Sequence, residues 1–186
     1  EIYIGVVGPV RTGKSTFIKR FMDLLVLPHI EDEFERERAN DELPQSAGGK
    51  TITTTEPKFI PKEAASISLG EGAQARVRLI DCVGYMVEGA AGHMENGEER
   101  MVKTPWSEEE IPFTQAAETG TRKVIADHSS VGIVVTCDGS FTEIGRQQYE
   151  PAEERTVREL KKLNKPFIVL LNTTKPYSEE TGKLAE

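Results

Sequence analysis

The sequence predicts an α/β fold built on a doubly wound, mostly parallel sheet. Three observations support that prediction. Apolar runs typical of strands alternate with helical patterns, a glycine-rich loop joins the first strand to the first helix, and 186 residues suit one domain with a substantial core.

Five apolar runs are predicted as strands, and the first and the last two are apolar throughout. Such runs are typical of central parallel strands that helices cover on both faces. The predicted strands span residues 2–7, 58–61, 77–80, 131–137 and 167–171.

Helical patterns fill intervals between these strands. The last of them has Pro151 in its first turn, where a proline disturbs no intrahelical hydrogen bond. The predicted helices span residues 16–27, 114–127 and 151–163.

The glycine-rich loop indicates the class of ligand. It reads G-P-V-R-T-G-K-S over residues 8–15 and fits the phosphate-binding pattern G-x-x-x-x-G-K-[ST]. In such a P-loop, backbone N–H groups surround phosphate, Lys14 reaches the β- and γ-phosphates, and Ser15 holds Mg²⁺. The sequence therefore predicts a bound nucleoside triphosphate, with an ordinary strand–turn–helix joint as the alternative. The predicted nucleotide contacts in and beside the loop are Gly8, Pro9, Val10, Arg11, Thr12, Gly13, Lys14, Ser15 and Thr16.

Two long insertions are expected to respond to the nucleotide. Residues 28–49 include a charged stretch, 31–38, that predicts an exposed helix. Residues 85–112 contain the only tryptophan, Trp106, and a loop of that length predicts a functional or a disordered segment. Nucleotide-gated loops are drawn from such segments.

A second phosphate motif follows the third predicted strand. Asp81 begins a D-x-x-G sequence that ends at Gly84. A carboxylate at a strand end beside a P-loop can hold Mg²⁺ directly or through water, and the glycine lets a backbone N–H approach the γ-phosphate. We therefore predict Asp81 as a catalytic and metal-binding residue and Gly84 as a nucleotide contact.

Four threonines lie between residues 51 and 55. A threonine in this loop can bind Mg²⁺ through its hydroxyl and the γ-phosphate through its N–H, so that the loop senses hydrolysis. We predict Thr54 and Thr55 as the sensors, with Thr54 joining Ser15 and Asp81 as a metal ligand. An ordinary strand is the alternative, because threonine favours strands.

The base-reading position departs from the GTPase pattern N-K-x-D. Asn172 is retained after the fifth strand, but Thr173 replaces the lysine and Lys175 replaces the aspartate. The aspartate of that pattern accepts hydrogen bonds from guanine, whereas a lysine side chain has no acceptor. The sequence therefore predicts that guanine preference is lost and that ATP is the ligand.

The group that orients the attacking water does not follow from the pattern. Many GTPases carry glutamine after D-x-x-G, and Tyr85 stands there in this chain. Arg11, inside the P-loop, is a candidate catalytic residue that supplies a permanent positive charge, like an arginine finger within the same chain. A solvent-facing arginine is the equally open alternative.

Composition disfavours several classes of partner. A net charge of −8 and a pI of about 5.1 argue against nucleic acid and anionic lipid as ligands of this domain. No apolar stretch approaches the ~20 residues of a membrane helix, so we expect no direct membrane insertion. Cys82 and Cys137 predict buried free thiols in a cytosolic protein, against a disulfide or a metal pair. We expect the chain to be part of something longer.

Beyond the generic motifs, the chain resembles the N-terminal ATPase domain of the stage IV sporulation protein A family. These are coat-assembly ATPases of endospore-forming bacteria, within the translation-factor-related class of P-loop proteins. The resemblance covers essentially residues 1–186 as one P-loop ATPase domain. It rests on the segments GVVGPVRTGKST (5–16), DELPQS (41–46), TTEPKF (54–59), DCVGY (81–85), TPW (104–106) and GTRKVI (120–125).

The resemblance implies an ATPase in which ATP hydrolysis drives a conformational change and self-assembly into a static polymer. That polymer would form the basement layer of the spore coat, on the outer forespore surface in the mother-cell cytoplasm. In the family, Lys14 corresponds to the nucleotide-binding lysine, Thr54 and Thr55 to the sensor threonines, and Asp81 to the Mg²⁺-associated acid. A small amphipathic membrane-anchoring peptide and spore coat proteins are implied partners, through C-terminal regions beyond this domain.

Two other functions stay open at this point. A GTP-binding regulatory switch fits the motif layout but is opposed by Lys175, and a nucleotide-bound scaffold without hydrolysis fits Tyr85 in place of glutamine. Comparing ATP with GTP turnover tests the first alternative, and turnover followed over hours tests the second.

Overall fold

The computed structural model describes residues 1–44 and 55–186, and it confirms the predicted α/β fold with a mostly parallel sheet. In chain order the strands are β1 (Ile2–Val7), β2 (Lys58–Gly70), β3 (Ala73–Asp81), β4 (Met94–Glu95), β5 (Glu98–Glu99), β6 (Met101–Thr104), β7 (Ser107–Pro112), β8 (Val131–Cys137) and β9 (Phe167–Asn172). The central sheet has the order β2–β3–β1–β8–β9, while β4–β5 and β6–β7 are separate hairpins.

The helices alternate with these strands. They are α1 (Lys14–Phe21), α2 (Glu33–Asp41), α3 (Phe113–Lys123), α4 (Arg146–Lys162) and α5 (Glu179–Ala185). A wider π-helical turn extends α1 over Met22–Val26 and another extends α3 over Val124–His128. The charged stretch predicted as a helix forms α2, whose N-cap Asp32 accepts a hydrogen bond from the Glu35 N–H at 2.7 Å.

The parallel strands bring the predicted motifs to one edge of the sheet. β1 pairs in parallel with β3 and β8, and β8 pairs in parallel with β9, whereas β2 runs antiparallel to β3. Parallel strands end at a common edge, here called the carboxyl edge. The P-loop follows β1 there, Asp81 ends β3, Cys137 ends β8 and Asn172 ends β9.

Helices cover both faces of the sheet, as a doubly wound fold requires. On one face α1 contributes Ile18, which packs in a core cluster with Val6 and Leu79. On the opposite face a second cluster includes Val7 of β1, together with residues of the π-helical turn after α3 and of α4. Adjacent residues of β1 thus face opposite layers, which explains its continuous apolar sequence.

The hairpin of β2 and β3 is longer than predicted. The strands have 13 and 9 residues, whereas only residues 58–61 and 77–80 were predicted. The intervening sequence is rich in alanine, serine and charged residues, and a register shift between Ile60 and Ala65 breaks the two-residue alternation. Because this part of the hairpin has no regular apolar pattern, its sequence did not predict a strand.

The prediction that β9 is covered on both faces is wrong for the described chain. Ile168 is 57% exposed and Val169 is 48% exposed. β9 is the last strand of the sheet order, with β8 as its neighbour on one side. A continuous apolar run therefore did not distinguish a central strand from an edge strand here.

Two further expectations are corrected. Helix α4 begins at Arg146 rather than at Pro151, because Arg146 forms ion pairs with Glu150 and Glu153 along the first turns. Pro151 consequently lies inside the helix. The insertion at 85–112 is an ordered pair of hairpins rather than a disordered loop.

The predicted free thiols are confirmed, because Cys82 and Cys137 are both buried and unpaired. Across residues 1–44 and 55–186, no helix has the length and apolar character needed to cross a membrane.

Candidate nucleotide-binding site

A cavity of about 850 Å³ opens at the carboxyl edge, and Lys14, Ser15 and Cys82 are among its lining residues. A larger cavity of about 980 Å³ lies between the end of α1 and the β2–β3 hairpin, where mainly apolar side chains line it. Phosphate needs cationic and hydrogen-bonding groups, which the first cavity offers. We therefore place the candidate site in the cavity at the carboxyl edge.

Lys14 lies at the first position of α1 and is 4% exposed. Its Nζ donates to the Pro9 carbonyl at 2.5 Å, and the Thr12 hydroxyl donates to the same carbonyl at 3.0 Å. Burial lowers the pKa of Lys14, and the nearby Asp81 carboxyl partly opposes that effect. An anionic phosphate would give this buried ammonium a stronger partner than a neutral carbonyl.

Ser15 and Asp81 form the candidate metal site. The Ser15 hydroxyl donates to Asp81 Oδ2 at 2.6 Å. Asp81 Oδ1 is buried and has no hydrogen-bond partner within the described part of the chain. Burial raises the pKa of Asp81, and a bound cation would favour its ionised form. These oxygen ligands fit Mg²⁺, which is held by few carboxylates together with phosphate oxygens.

Gly84 brings the D-x-x-G segment against the P-loop. Its φ is 96°, and a Cβ at this position would lie 2.3 Å from the Gly8 carbonyl oxygen and 2.7 Å from Lys14 Nζ. No larger residue fits that approach. The Gly84 N–H donates to Thr121 Oγ1 of α3 at 3.1 Å. The structure thus places the predicted Gly84 contact beside Lys14.

The threonine segment is described only from Thr55 onward, and Thr54 lies outside the described residues. Thr55 is 5% exposed. Its carbonyl oxygen packs so closely on α3 that a Cβ at Gly120 would approach it to 2.4 Å. Thr16, by contrast, is exposed on the first turn of α1.

The segment that corresponds to N-K-x-D is bound to the P-loop and to the end of β8. Asn172 Nδ2 donates to the Thr12 carbonyl at 3.0 Å. The Thr173 hydroxyl donates to Asp138 Oδ2 at 2.5 Å and accepts the Lys175 N–H at 3.0 Å. The Lys175 side chain is exposed. The loop is therefore retained, while the side chain at its fourth position is a cation.

Comparison with known proteins agrees with this arrangement. Over residues 1–186 the chain matches the family described as Stage IV sporulation protein A, ATPase domain. The chain belongs to this family. It is 58% identical over 186 residues to stage IV sporulation protein A of Bacillus anthracis and to that of Bacillus subtilis strain 168, in each case across 100% of the chain. The same identity holds over 184 residues, 99% of the chain, for Clostridioides difficile strain 630. The chain spans 38% of the length of these relatives.

Tyr85 does not occupy the role of a water-positioning glutamine in this chain. Its backbone pairs with the P-loop, because its N–H donates to the Gly8 carbonyl at 3.2 Å and its carbonyl accepts the Val10 N–H at 2.9 Å. Its side chain is buried, the hydroxyl donates to Glu159, and the Arg155 guanidinium lies 4.1 Å from the ring centre. Burial, together with this carboxylate, raises the pKa of Tyr85.

Arg11 is partly buried rather than directed fully into solvent. Its Nη2 donates to the Ala91 carbonyl at 3.4 Å, and the residue lines the cavity. Arg11 has a φ of 65°, a left-handed conformation that few residues other than glycine adopt. The structure therefore connects this arginine to the insertion at 85–112.

Two parts of the candidate site were not predicted from the sequence. Asp138, which orients Thr173, follows β8 directly, and the segment after it forms one wall of the cavity through residues 140–144. The available signal was their position, because the carboxyl end of any parallel strand faces the site. Motif matching alone did not identify these residues, since no phosphate-binding pattern includes them.

Proposed function

We propose that this chain binds ATP together with Mg²⁺ in the cavity at the carboxyl edge and hydrolyses it. One observation carries the proposal. Among the described residues Asp81 Oδ1 has no hydrogen-bond partner, and the other oxygen of the same carboxylate accepts the Ser15 hydroxyl. Ser15 directly follows the buried Lys14 in the chain. A cation-binding oxygen and a phosphate-binding ammonium thus lie side by side, which is the combination that a metal-bound triphosphate needs.

The chain's own residues would share the work as follows. Lys14 leaves the Pro9 carbonyl and binds the β- and γ-phosphates, while P-loop N–H groups surround them. Ser15, Asp81 and Thr54 hold the metal, and Thr54 and Thr55 report whether the γ-phosphate is present. When bound, Mg²⁺ neutralises charge that develops on the phosphate oxygens. Arg11 supplies a further positive charge at the same phosphates.

The base preference rests on the segment after β9. Guanine recognition needs an acceptor at the position of Lys175, and the exposed ammonium there offers none. The Thr173 hydroxyl is engaged with Asp138 and with the backbone, so it does not replace the missing acceptor. These contacts favour ATP over GTP as the substrate.

The wider role proposed for the chain is that of its family. We propose that ATP hydrolysis drives a conformational change and self-assembly into a static polymer, the basement layer of the spore coat. The location would be the mother-cell cytoplasm at the outer forespore surface. A small amphipathic membrane-anchoring peptide and spore coat proteins would bind through regions beyond residue 186. The relatives named stage IV sporulation protein A support a role in sporulation.

Turnover and sedimentation of the full-length protein test this function. We expect phosphate release from ATP, more slowly from GTP, and sedimenting polymer that depends on ATP. Lys14→Ala should abolish both, whereas Lys162→Ala, which removes an exposed lysine on α4, should change neither. Preferred hydrolysis of GTP would instead support a GTP-binding switch. Nucleotide binding without phosphate release over hours would support a scaffold.

A further inference from the structure

Two consecutive residues of α3 contact both segments that are predicted to sense the γ-phosphate. A Cβ on Gly120 would lie 2.4 Å from the Thr55 carbonyl oxygen, so the two backbones are in direct contact. The Thr121 hydroxyl accepts the Gly84 N–H at 3.1 Å. One turn of one helix therefore contacts the threonine segment and the D-x-x-G segment.

The Thr121 hydroxyl is fully engaged in this state. Thr121 is completely buried, and its hydroxyl donates to the Ala117 carbonyl at 2.8 Å while it accepts from Gly84. The same N–H of Gly84 is the group expected to bind a γ-phosphate. A single N–H cannot make full hydrogen bonds to both acceptors, so Thr121 and a γ-phosphate compete for it.

The other end of α3 is bound to the hairpins. The Phe113 N–H donates to the Arg100 carbonyl at 2.8 Å, and the Thr114 N–H donates to Glu99 Oε1 at 3.0 Å. The Arg100 guanidinium lies 4.4 Å from the centre of the Phe113 ring. A helix of 11 residues is about 16 Å long, so these contacts of Glu99 and Arg100 lie at the end of α3 opposite to Thr121.

We propose that Thr121 is a positioning residue that holds the Gly84 N–H until a γ-phosphate takes it, and that α3 carries this exchange to the hairpins at 94–112. The proposal rests on the nucleotide site proposed above. It specifies which hydrogen bond changes between the diphosphate and triphosphate states. The close Gly120–Thr55 contact makes Thr55 follow the same movement of α3.

Removing the Thr121 hydroxyl is expected to raise the affinity for a triphosphate but not that for a diphosphate. In Thr121→Val the Gly84 N–H is left buried and unpaired in the free and diphosphate states, but a γ-phosphate satisfies it. Triphosphate affinity should therefore rise roughly 5- to 30-fold while diphosphate affinity stays unchanged. Titration calorimetry with ADP and with the β,γ-imido analogue of ATP, on the 186-residue chain, measures both constants.

The chain offers a matched control. Thr156 in α4 is also completely buried, and its hydroxyl donates to the Ala152 carbonyl at 2.8 Å, four residues earlier, as Thr121 does to Ala117. Thr156→Val should leave the ratio of the two affinities unchanged. Thr121→Ser keeps the hydroxyl and should restore the wild-type ratio. A general packing defect would move both nucleotides together, and that result overturns the proposal.

Trp106 provides a second readout that needs no substitution. It lies at the turn of the β6–β7 hairpin, and its ring centre is 5.7 Å from Lys123 Nζ at the end of α3. We expect its emission to differ between the ADP and imido-ATP complexes of the wild-type chain. Because Lys123 lies two residues after Thr121, identical spectra would overturn the proposal that the exchange at Thr121 reaches the β6–β7 hairpin. If the wild type binds neither nucleotide, the proposed function itself fails, which is a different result from an unchanged affinity ratio.

Discussion

The Ser15 hydroxyl donates to Asp81 Oδ2 at 2.6 Å and thereby joins the start of α1 to the end of β3. The second oxygen of this carboxylate is buried and has no partner within residues 1–44 and 55–186. Burial raises the pKa of Asp81. A proton and Mg²⁺ therefore compete for the same oxygen.

This competition predicts a pH dependence of metal binding. The pKa of Asp81 lies above the ordinary aspartate value of about 3.9, so acidification protonates it sooner than an exposed aspartate. We expect Mg²⁺ affinity of the nucleotide-bound chain to fall about tenfold for each pH unit below the raised pKa and to be constant above it. Mg²⁺ titrations of the nucleotide-bound chain at several acidic pH values measure this dependence.

Asp81→Asn is the control, because the phosphates of the nucleotide also take up protons. The variant should bind Mg²⁺ about 10- to 100-fold more weakly and should show only the pH dependence of the nucleotide. Equal slopes in the variant and the wild type would mean that Asp81 does not hold the metal.

The base-reading segment predicts a change of nucleotide preference. Thr173→Lys combined with Lys175→Asp restores the N-K-x-D pattern and supplies a carboxylate acceptor for guanine. We expect the ratio of GTP to ATP in kcat/KM to rise about 10- to 100-fold, because charged hydrogen bonds to the base are gained. The double variant lowers the net charge by one, as Lys162→Gln does on α4, and this control should leave the ratio as it is. An unchanged ratio in the double variant would place base recognition elsewhere.

Tyr85→Phe tests whether the Tyr85 hydroxyl contributes to stability or to catalysis. The variant keeps the ring beneath Arg155 but removes the hydrogen bond to Glu159, and stability should fall by about 1.5–3 kcal/mol. Turnover should change little, because the hydroxyl is committed to α4. Urea unfolding and phosphate release measure the two effects.

Tyr149→Phe is a useful comparison for this substitution. Tyr149 is also buried, but its hydroxyl donates to the neutral Thr142 hydroxyl at 3.0 Å. Its loss should therefore cost less, about 0.5–1.5 kcal/mol. A large loss of turnover in Tyr85→Phe with unchanged stability would assign that hydroxyl to the reaction instead.

Arg11→Ala tests the proposed positive charge in the P-loop. We expect turnover to fall at least about 100-fold, given that arginine fingers contribute more than this in related chemistry. Added potassium should restore part of the rate if a monovalent cation can take the place of the guanidinium. Rates with and without potassium, each compared with Arg11→Lys, provide the measurement. An unchanged rate in Arg11→Ala would show that the guanidinium does not contribute to the reaction.

The sheet and the phosphate motifs were predictable because their signals are local. A buried strand, a glycine-rich turn and a helix follow each other within residues 2–21, so the P-loop could be identified without knowledge of the rest of the chain. The same holds for Asp81, whose strand and motif are contiguous. Parallel pairing then brings these separate segments to one edge.

The other features depend on contacts between residues far apart in sequence. The direction of the Tyr85 side chain is set by Glu159, 74 positions away, and the orientation of Thr173 is set by Asp138. The hairpins within 94–112 are short and rich in glutamate, which has low strand propensity. The composition of β9 likewise did not predict its exposed face, because an apolar run has the same sequence pattern in a central strand and in an edge strand.

The backbone of Arg11 has a consequence for any attempt to stabilise this domain. At a φ of 65°, a residue with a side chain is less favourable than glycine by about 1 kcal/mol. Arg11→Gly relieves this strain, but it also raises the conformational entropy of the unfolded chain and removes the side-chain contacts of Arg11, including the hydrogen bond to Ala91. Because these effects oppose each other, relaxing the backbone at this position brings little net gain in stability and removes the charge proposed for the reaction.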